Sequence, residues 1–188
     1  VNSSAHLVTC KNCNLSVEAS HIYADGVCIC GEQESKESVE DASLKLSHSL
    51  NLASDITLNY AIAAENLFDF DMETVKVEVR IPVYEGNIVV EENTITLLPE
   101  LRDNYYYFVL DGMTAVQMND KLTAVLCGSK DGQEFYSPVD EYSIATYAYS
   151  QMRKTGAAEM LKTLCADLLR YGAKAQIFKS YRLDALVD

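Results

Sequence analysis

Tryptophan is missing altogether, histidine occurs three times, and basic side chains are scarce beside acidic ones. Without tryptophan, aromatic bulk falls to 12 Tyr and 5 Phe, so most rings carry a polar tip that needs a hydrogen bond or solvent. With 15 Lys and Arg against 28 Asp and Glu, the formal net charge is −13. Acidity on that scale repels phosphate backbones and anionic lipid surfaces, which argues against a nucleic-acid partner. Apolar runs such as Ile88-Val89-Val90 are short and interrupted, so neither membrane insertion nor a signal-peptide core is expected.

What is present is ordinary for a packed soluble protein. Hydrophobic residues make up 48% and charged residues 23% of 188, enough for one domain or one domain with a small satellite. The chain begins at Val1 and ends just after Leu186-Val187, which reads as a piece of a longer polypeptide. Charge is uneven along it: residues 1–43 carry 2 basic and 7 acidic side chains, 44–140 carry 6 and 16, and 141–188 carry 7 and 5.

Cysteines divide the chain first. Cys10, Cys13, Cys28 and Cys30 lie within 21 residues, while Cys127 and Cys165 stand alone. Two close cysteine pairs supply four thiolates from two short knuckles, the ligand set of a tetrahedral zinc site. A segment this short cannot fold on apolar burial alone, so a staple is required. Four thiolates leave zinc no open position, so such a site is structural and not catalytic. The same cysteines could instead form disulfides, Cys10 and Cys13 each crossing to Cys28 or Cys30, or stay as thiols. The second knuckle holds one intervening residue instead of two, which makes His21 or His6 the reserve ligand, although His21 is more simply a packing residue.

Beyond the cluster, Glu32 to Ser43 is rich in Glu and Ser and lacks an apolar stripe, so residues 32–47 read as an acidic linker after a zinc-ribbon-like segment at 1–31. The period then becomes two. Ile56, Leu58, Tyr60 and Ile62 alternate with polar or small residues, as do Val75, Val77, Val79, Ile81 and Val83 with Lys76, Glu78 and Arg80. Residues 88–98, 105–110, 122–127 and 133–136 are further strand candidates, the last two joined by a turn at Asp131-Gly132. Short strands at this spacing predict an immunoglobulin-like antiparallel β-sandwich over 48–140. From Ser137, Pro138 and Asp140 the pattern turns helical, with Ile144, Tyr147, Ala148 and Met152 on one face and Leu161, Leu164, Cys165, Leu168 and Leu169 on the face of a second helix. These C-terminal helices, 141–188, are expected to pack on the sandwich, giving a mainly β fold with α.

Catalytic chemistry finds little footing. His6, His21 and His48 all precede the alternating strands of the sandwich, which leaves them without a histidine general base. Cys127 and Cys165 fall at core positions of a strand and a helix, where free cysteines act as small hydrophobes. Glu91-Glu92, Asp69 and Asp71 read as a solvated face, and the stretch Phe68-Asp69-Phe70-Asp71 lacks the Gly and terminal Glu of an EF-hand loop. In Tyr105-Tyr106-Tyr107, alternation places Tyr106 in the core and leaves Tyr105 and Tyr107 exposed or under the helices, where they could stack on sugar rings.

His21-Ile22-Tyr23-Ala24-Asp25-Gly26-Val27-Cys28-Ile29-Cys30-Gly31 resembles the short zinc-ribbon-like module of large secreted or cell-surface proteins of anaerobic gut Clostridia, departing from it in the shortened last knuckle. Tyr142-Ser143-Ile144 with Tyr147, and Leu169, Tyr171-Gly172-Ala173, Ala175-Gln176, Tyr181, Asp184 and Leu186, look like the closing helices of a β-sandwich module of the same proteins. The resemblance implies an extracellular or cell-surface setting and a non-catalytic structural or interaction module, no enzyme, whose partners are other domains of its own polypeptide, a surface protein or a glycan. The alternatives are a glycan-binding module using exposed Tyr and carboxylates and, behind it, a hydrolase domain.

Overall fold

The structure is a computed structural model that describes residues 5–9, 16–20, 23–24, 27–28, 38–52 and 55–187. The chain divides into two compact units, Val1–Glu37 and Ser38–Asp188. In the first, β1 (Ala5–Thr9) pairs antiparallel with β2 (Ser16–Ser20), and β3 (Tyr23–Ala24) pairs antiparallel with β4 (Val27–Cys28).

The second unit contains β5 (Val39–Glu40), β6 (Ser47–Asn51), β7 (Ile56–Ala63), β8 (Asp71–Glu85), β9 (Ile88–Leu97), β10 (Glu100–Arg102), β11 (Tyr105–Met113), β12 (Leu122–Lys130), β13 (Gln133–Tyr136) and β14 (Asp140–Tyr142), then α1 (Ile144–Arg153) and α2 (Glu159–Lys179). One sheet runs β10-β11-β7-β6; the larger runs β5-β13-β12-β8-β9, with β14 also pairing β12. Pairing in both is antiparallel apart from β5 beside β13.

Alternation does the sorting, because successive strand side chains face opposite sides. Val75, Val77 and Val79 of β8 and Leu122, Ala124 and Leu126 of β12 turn inward, and Leu58, Tyr60 and Ile62 of β7 meet them with Phe108 and Leu110 of β11 in one shared core. Each such aliphatic side chain contributes about 1.5–3 kcal/mol on leaving water. Gly128 keeps this core closed where β12 bulges, since a Cβ there would stand 3.0 Å from Phe70 and from Val75.

The segment read as linker differs in its second half. Val39–Glu40 pairs with Phe135–Tyr136, the Asp41 amide donates to the Tyr136 carbonyl at 2.8 Å, and Leu44 is buried in the core. Leu44 and the half-buried Leu46, with the backbone pairing to β13, dock a stretch that has no stripe. The helix start also moves. Ser137 continues alongside β12, its hydroxyl accepting from the Leu126 amide at 3.0 Å, and Asp140–Tyr142 pairs with Leu122–Ala124. Helix α1 begins only after Ser143, whose hydroxyl caps it by accepting from the Thr146 amide at 3.0 Å.

Both helices pack on the sheets, α1 through Ile144, Ala145 and Ala148 and α2 through Cys165 and Leu169, while Gly172 meets Met118 and Val187 and Gln176 holds the last residues of the chain. Leu164, read as a core position, is 49% exposed, because the buried stripe passes through Cys165 and Leu169 and turns Leu164 to its edge. Beyond a left-handed Ser180, the chain folds back along α2 until the Val187 amide donates to the buried Gln176 carboxamide at 2.9 Å.

Candidate functional site

Of the four cysteines expected to bind zinc, Cys10, Cys13 and Cys30 lie outside the described residues, and Cys28 is described only as the last backbone position of β4, opposite Tyr23. His6 pairs with Ala19 in the β1–β2 ladder, and His21 lies outside the described residues.

His48 overturns the expectation of a histidine-free domain. It sits in β6, within the smaller sheet, and its Nε2 lies 2.7 Å from Asp140 Oδ2. Its ring stacks on Tyr142 at 3.6 Å and meets Tyr60 edge-on at 5.5 Å. The imidazole is thereby committed to joining β6 to β14, a contact that no spacing in the sequence announces. Tyr60 shares the enclosure: its hydroxyl is buried with no hydrogen-bond partner among the described residues, and burial pushes its pKa up.

A groove of about 510 Å³ lies on the outer face of the larger sheet. Alternation that sends Val75, Val77 and Val79 inward sends Lys76, Glu78 and Arg80 out. The register sets Arg80 opposite Thr123, Glu78 opposite Val125 and Lys76 opposite Cys127, with Tyr136 next across from Cys127. The floor is therefore a band of apolar and thiol side chains edged by charges.

Within this band Lys76 Nζ holds Glu78 Oε1 at 2.7 Å, a bond that raises the lysine pKa. Arg80 has no ion-pair partner among the described residues. The Cys127 thiol is pushed up, chiefly by burial and then by the Glu78 carboxylate, so it stays protonated at neutral pH and makes a poor nucleophile. No histidine lines the groove among the described residues. The sequence showed the Lys76-Glu78-Arg80 alternation but not which strand lies beside it, so the groove was not foreseen.

The other candidates are spoken for. Asp69 is paired with Lys130 Nζ at 2.7 Å, and Asp71 accepts from the Glu73 amide at 3.1 Å. Tyr106 is half-buried against the core and Tyr105 is exposed, as alternation requires. Tyr105 and Tyr107 are tilted 51° to one another and Arg102 covers the Tyr107 ring at 5.5 Å, so they present no flat platform.

The residues of the closing-helix resemblance acquire a structural meaning. Tyr181 Oη donates to Asp120 Oδ2 at 2.6 Å, Arg182 Nη1 donates to Asp120 Oδ1 at 2.8 Å, and the Arg182 guanidinium lies over Tyr84 at 4.0 Å. Gly172 lets α2 approach Met118 and Val187 so closely that a Cβ would stand 2.7 and 2.8 Å from their side chains. This is a clasp on the fold, not a binding site.

No family model matches the chain, and no curated protein matches it. Among solved structures it is similar to the Br derivative of BhCBM56, at 12% identity and TM-score 0.35 over 52% of this chain and 88% of that one. An uncharacterized protein from Bacillus anthracis str. Ames, at 16% identity and TM-score 0.27, aligns over 55% and 83%. At such scores neither assigns a fold family, and the function rests on this chain's own residues.

Proposed function

We propose that the chain is a non-catalytic structural or interaction module of a secreted or cell-surface multidomain bacterial protein. In this reading the two sheets form an immunoglobulin-like sandwich, and the preceding zinc-ribbon-like segment holds one structural zinc through Cys10, Cys13, Cys28 and Cys30. Bound there, zinc would cross-link the two knuckles and stabilise a segment with little core of its own. The β3–β4 hairpin supports a knuckle, since it ends on Cys28.

One observation carries the non-catalytic reading: among the described residues the groove brings together a protonated thiol, a lysine and glutamate that neutralise each other, an exposed Glu134 and no histidine, while His48, in the smaller sheet, is tied to Asp140. Acid, base and nucleophile do not converge. Assays with chromogenic esters, phosphates and glycosides should show no turnover, and turnover abolished by Glu78→Gln or by Glu134→Gln, the two carboxylates lining the groove, would overturn the reading. Plasma mass spectrometry on untagged protein should find one zinc per chain; a value near zero with no free thiols among the four cysteines hands the site to disulfides.

A glycan-binding role is the second reading, favoured by Arg80, Thr123 and Tyr136 facing one groove. Amide shifts confined to β8, β12 and β13 on titration with oligosaccharides would move the assignment there.

A further inference from the structure

Sheet edges expose backbone donors and acceptors that can template another strand, and folded proteins blunt them with brevity, proline, charged side chains (lysine above all), bulges or a covering element. In the second unit, β5 ends the larger sheet with 2 residues, β10 ends the smaller one with 3, and β6, with 5, has α1 beside it. Strand β9 is different. It is 10 residues long, pairs only with β8 among the described residues, contains no Pro, Lys or Arg, and is exposed at every position from Ile88 to Thr96. Its one irregularity is the bulge at Val90, between the Glu91–Val83 and Val89–Tyr84 pairs. Ile88, Val89 and Val90 stand in water together with Ile95.

We propose that β9 is a docking edge for an extended, basic peptide segment of another protein or domain, which adds to the larger sheet as a further strand. This rests on the reading of the chain as an interaction module and names the partner's chemistry. Backbone hydrogen bonds along the edge supply affinity, and side chains opposite the strand supply selection. Selection here is by charge. Glu91 and Glu92 occupy the middle of the strand on opposite faces, Glu85 lies at the hairpin end, and none of the three has an ion-pair partner among the described residues. A segment with Lys or Arg opposite the middle and β-branched residues opposite Ile88–Val90 and Ile95 answers both features. A second copy answers them badly, since it brings the same glutamates and a charge of −13 to the same edge.

The test uses the full chain and a short capped peptide in which valine alternates with lysine, with a valine–glutamate peptide and a proline-interrupted version as controls. The valine–lysine peptide should slow hydrogen exchange at alternate β9 amides, and neither control should. Double reversal Glu91→Lys with Glu92→Lys leaves the fold intact, both side chains being exposed, and should weaken that peptide roughly tenfold while admitting the valine–glutamate one. Protection confined to the groove strands, equal affinity after charge reversal, or dimerisation through β9 in sedimentation would each overturn the proposal. Absent protection at β9 in a zinc-loaded, non-hydrolytic chain removes the edge alone; hydrolytic activity removes the module reading itself.

Discussion

Asp120 and Asp140 each fasten a late segment of the chain to the sheets, one in a closed enclosure and the other at a half-open seam. The Asp120 side chain is completely buried and receives both Tyr181 and Arg182, while Asp140 keeps 26% of its side-chain surface and meets one imidazole. Removing one member of a closed pair strands the other without water, whereas removing one from an open pair lets solvent take its place. The guanidinium also carries its charge at every relevant pH, and an imidazole does not. The difference teaches that the last residues belong to the core as firmly as any strand, and that the β6–β14 seam is the softer joint.

The widest separation between the two should appear on neutralising each carboxylate. Asp120→Asn leaves Arg182 charged and 16% exposed, at a cost of about 3–5 kcal/mol in urea unfolding. Asp140→Asn keeps a hydrogen bond to His48 within reach and should cost about 1 kcal/mol. Equal losses would break the comparison, because burial would then not be what distinguishes the two sites.

Two leucines of α2 sharpen it next. Leu169, 2% exposed, should lose about 2–4 kcal/mol on truncation to Ala. Leu164→Asp should cost under about 1 kcal/mol, because a half-exposed side chain at the mouth of the apolar pocket it shares with Leu50, Tyr147 and Leu168 can turn a carboxylate to solvent. A loss at Leu164 as large as at Leu169 would mean that the pocket is closed in solution.

Gly172→Ala probes the closed clasp from its other side. The new methyl meets Met118 Sδ and Val187 Cγ1, which can shift, and the Ala115 carbonyl oxygen at 3.3 Å, which is backbone. Overpacking of this kind costs about 1–3 kcal/mol by thermal or urea melts. Adding Val187→Ala should recover only part of it.

Much of this fold is legible in the sequence, and what is not has a common cause. Alternation at Val75–Val83 and Ile56–Ile62 fixes strands and their inward faces, because a period of two leaves one solution when a single face is buried. The two helices, the turn at Asp131–Gly132 and the burial of Cys165 follow from equally local rules. The groove does not, since it requires knowing that β12 lies beside β8 with Cys127 opposite Lys76. The same holds for His48, whose partner Asp140 is 92 residues away, and for Leu44, which local pattern reads as linker. Pairings at long sequence separation are chosen by the whole core, and no window of neighbouring residues contains them.

The smallest effect separates the two carboxylates by pH. Burial raises the Asp120 pKa, and this outweighs the lowering by Tyr181 and Arg182. The folded chain therefore holds that proton more tightly than the unfolded chain does, so the stability Asp120 supplies is full below its unfolded value near 3.8 and declines as pH rises through the folded value. Tyr181 has the same sign at the alkaline end, its pKa raised by burial and by the Asp120 carboxylate, so its contribution is lost only above pH 10. Asparagine does not titrate. The gap between wild type and Asp120→Asn in urea midpoint should thus narrow modestly from pH 3.5 to 7 and stay level from there to pH 9. A gap that widens between pH 3.5 and 7 would show that the Arg182 ion pair, and not burial, governs the carboxylate, and would make the closed site electrostatically the more favourable of the two.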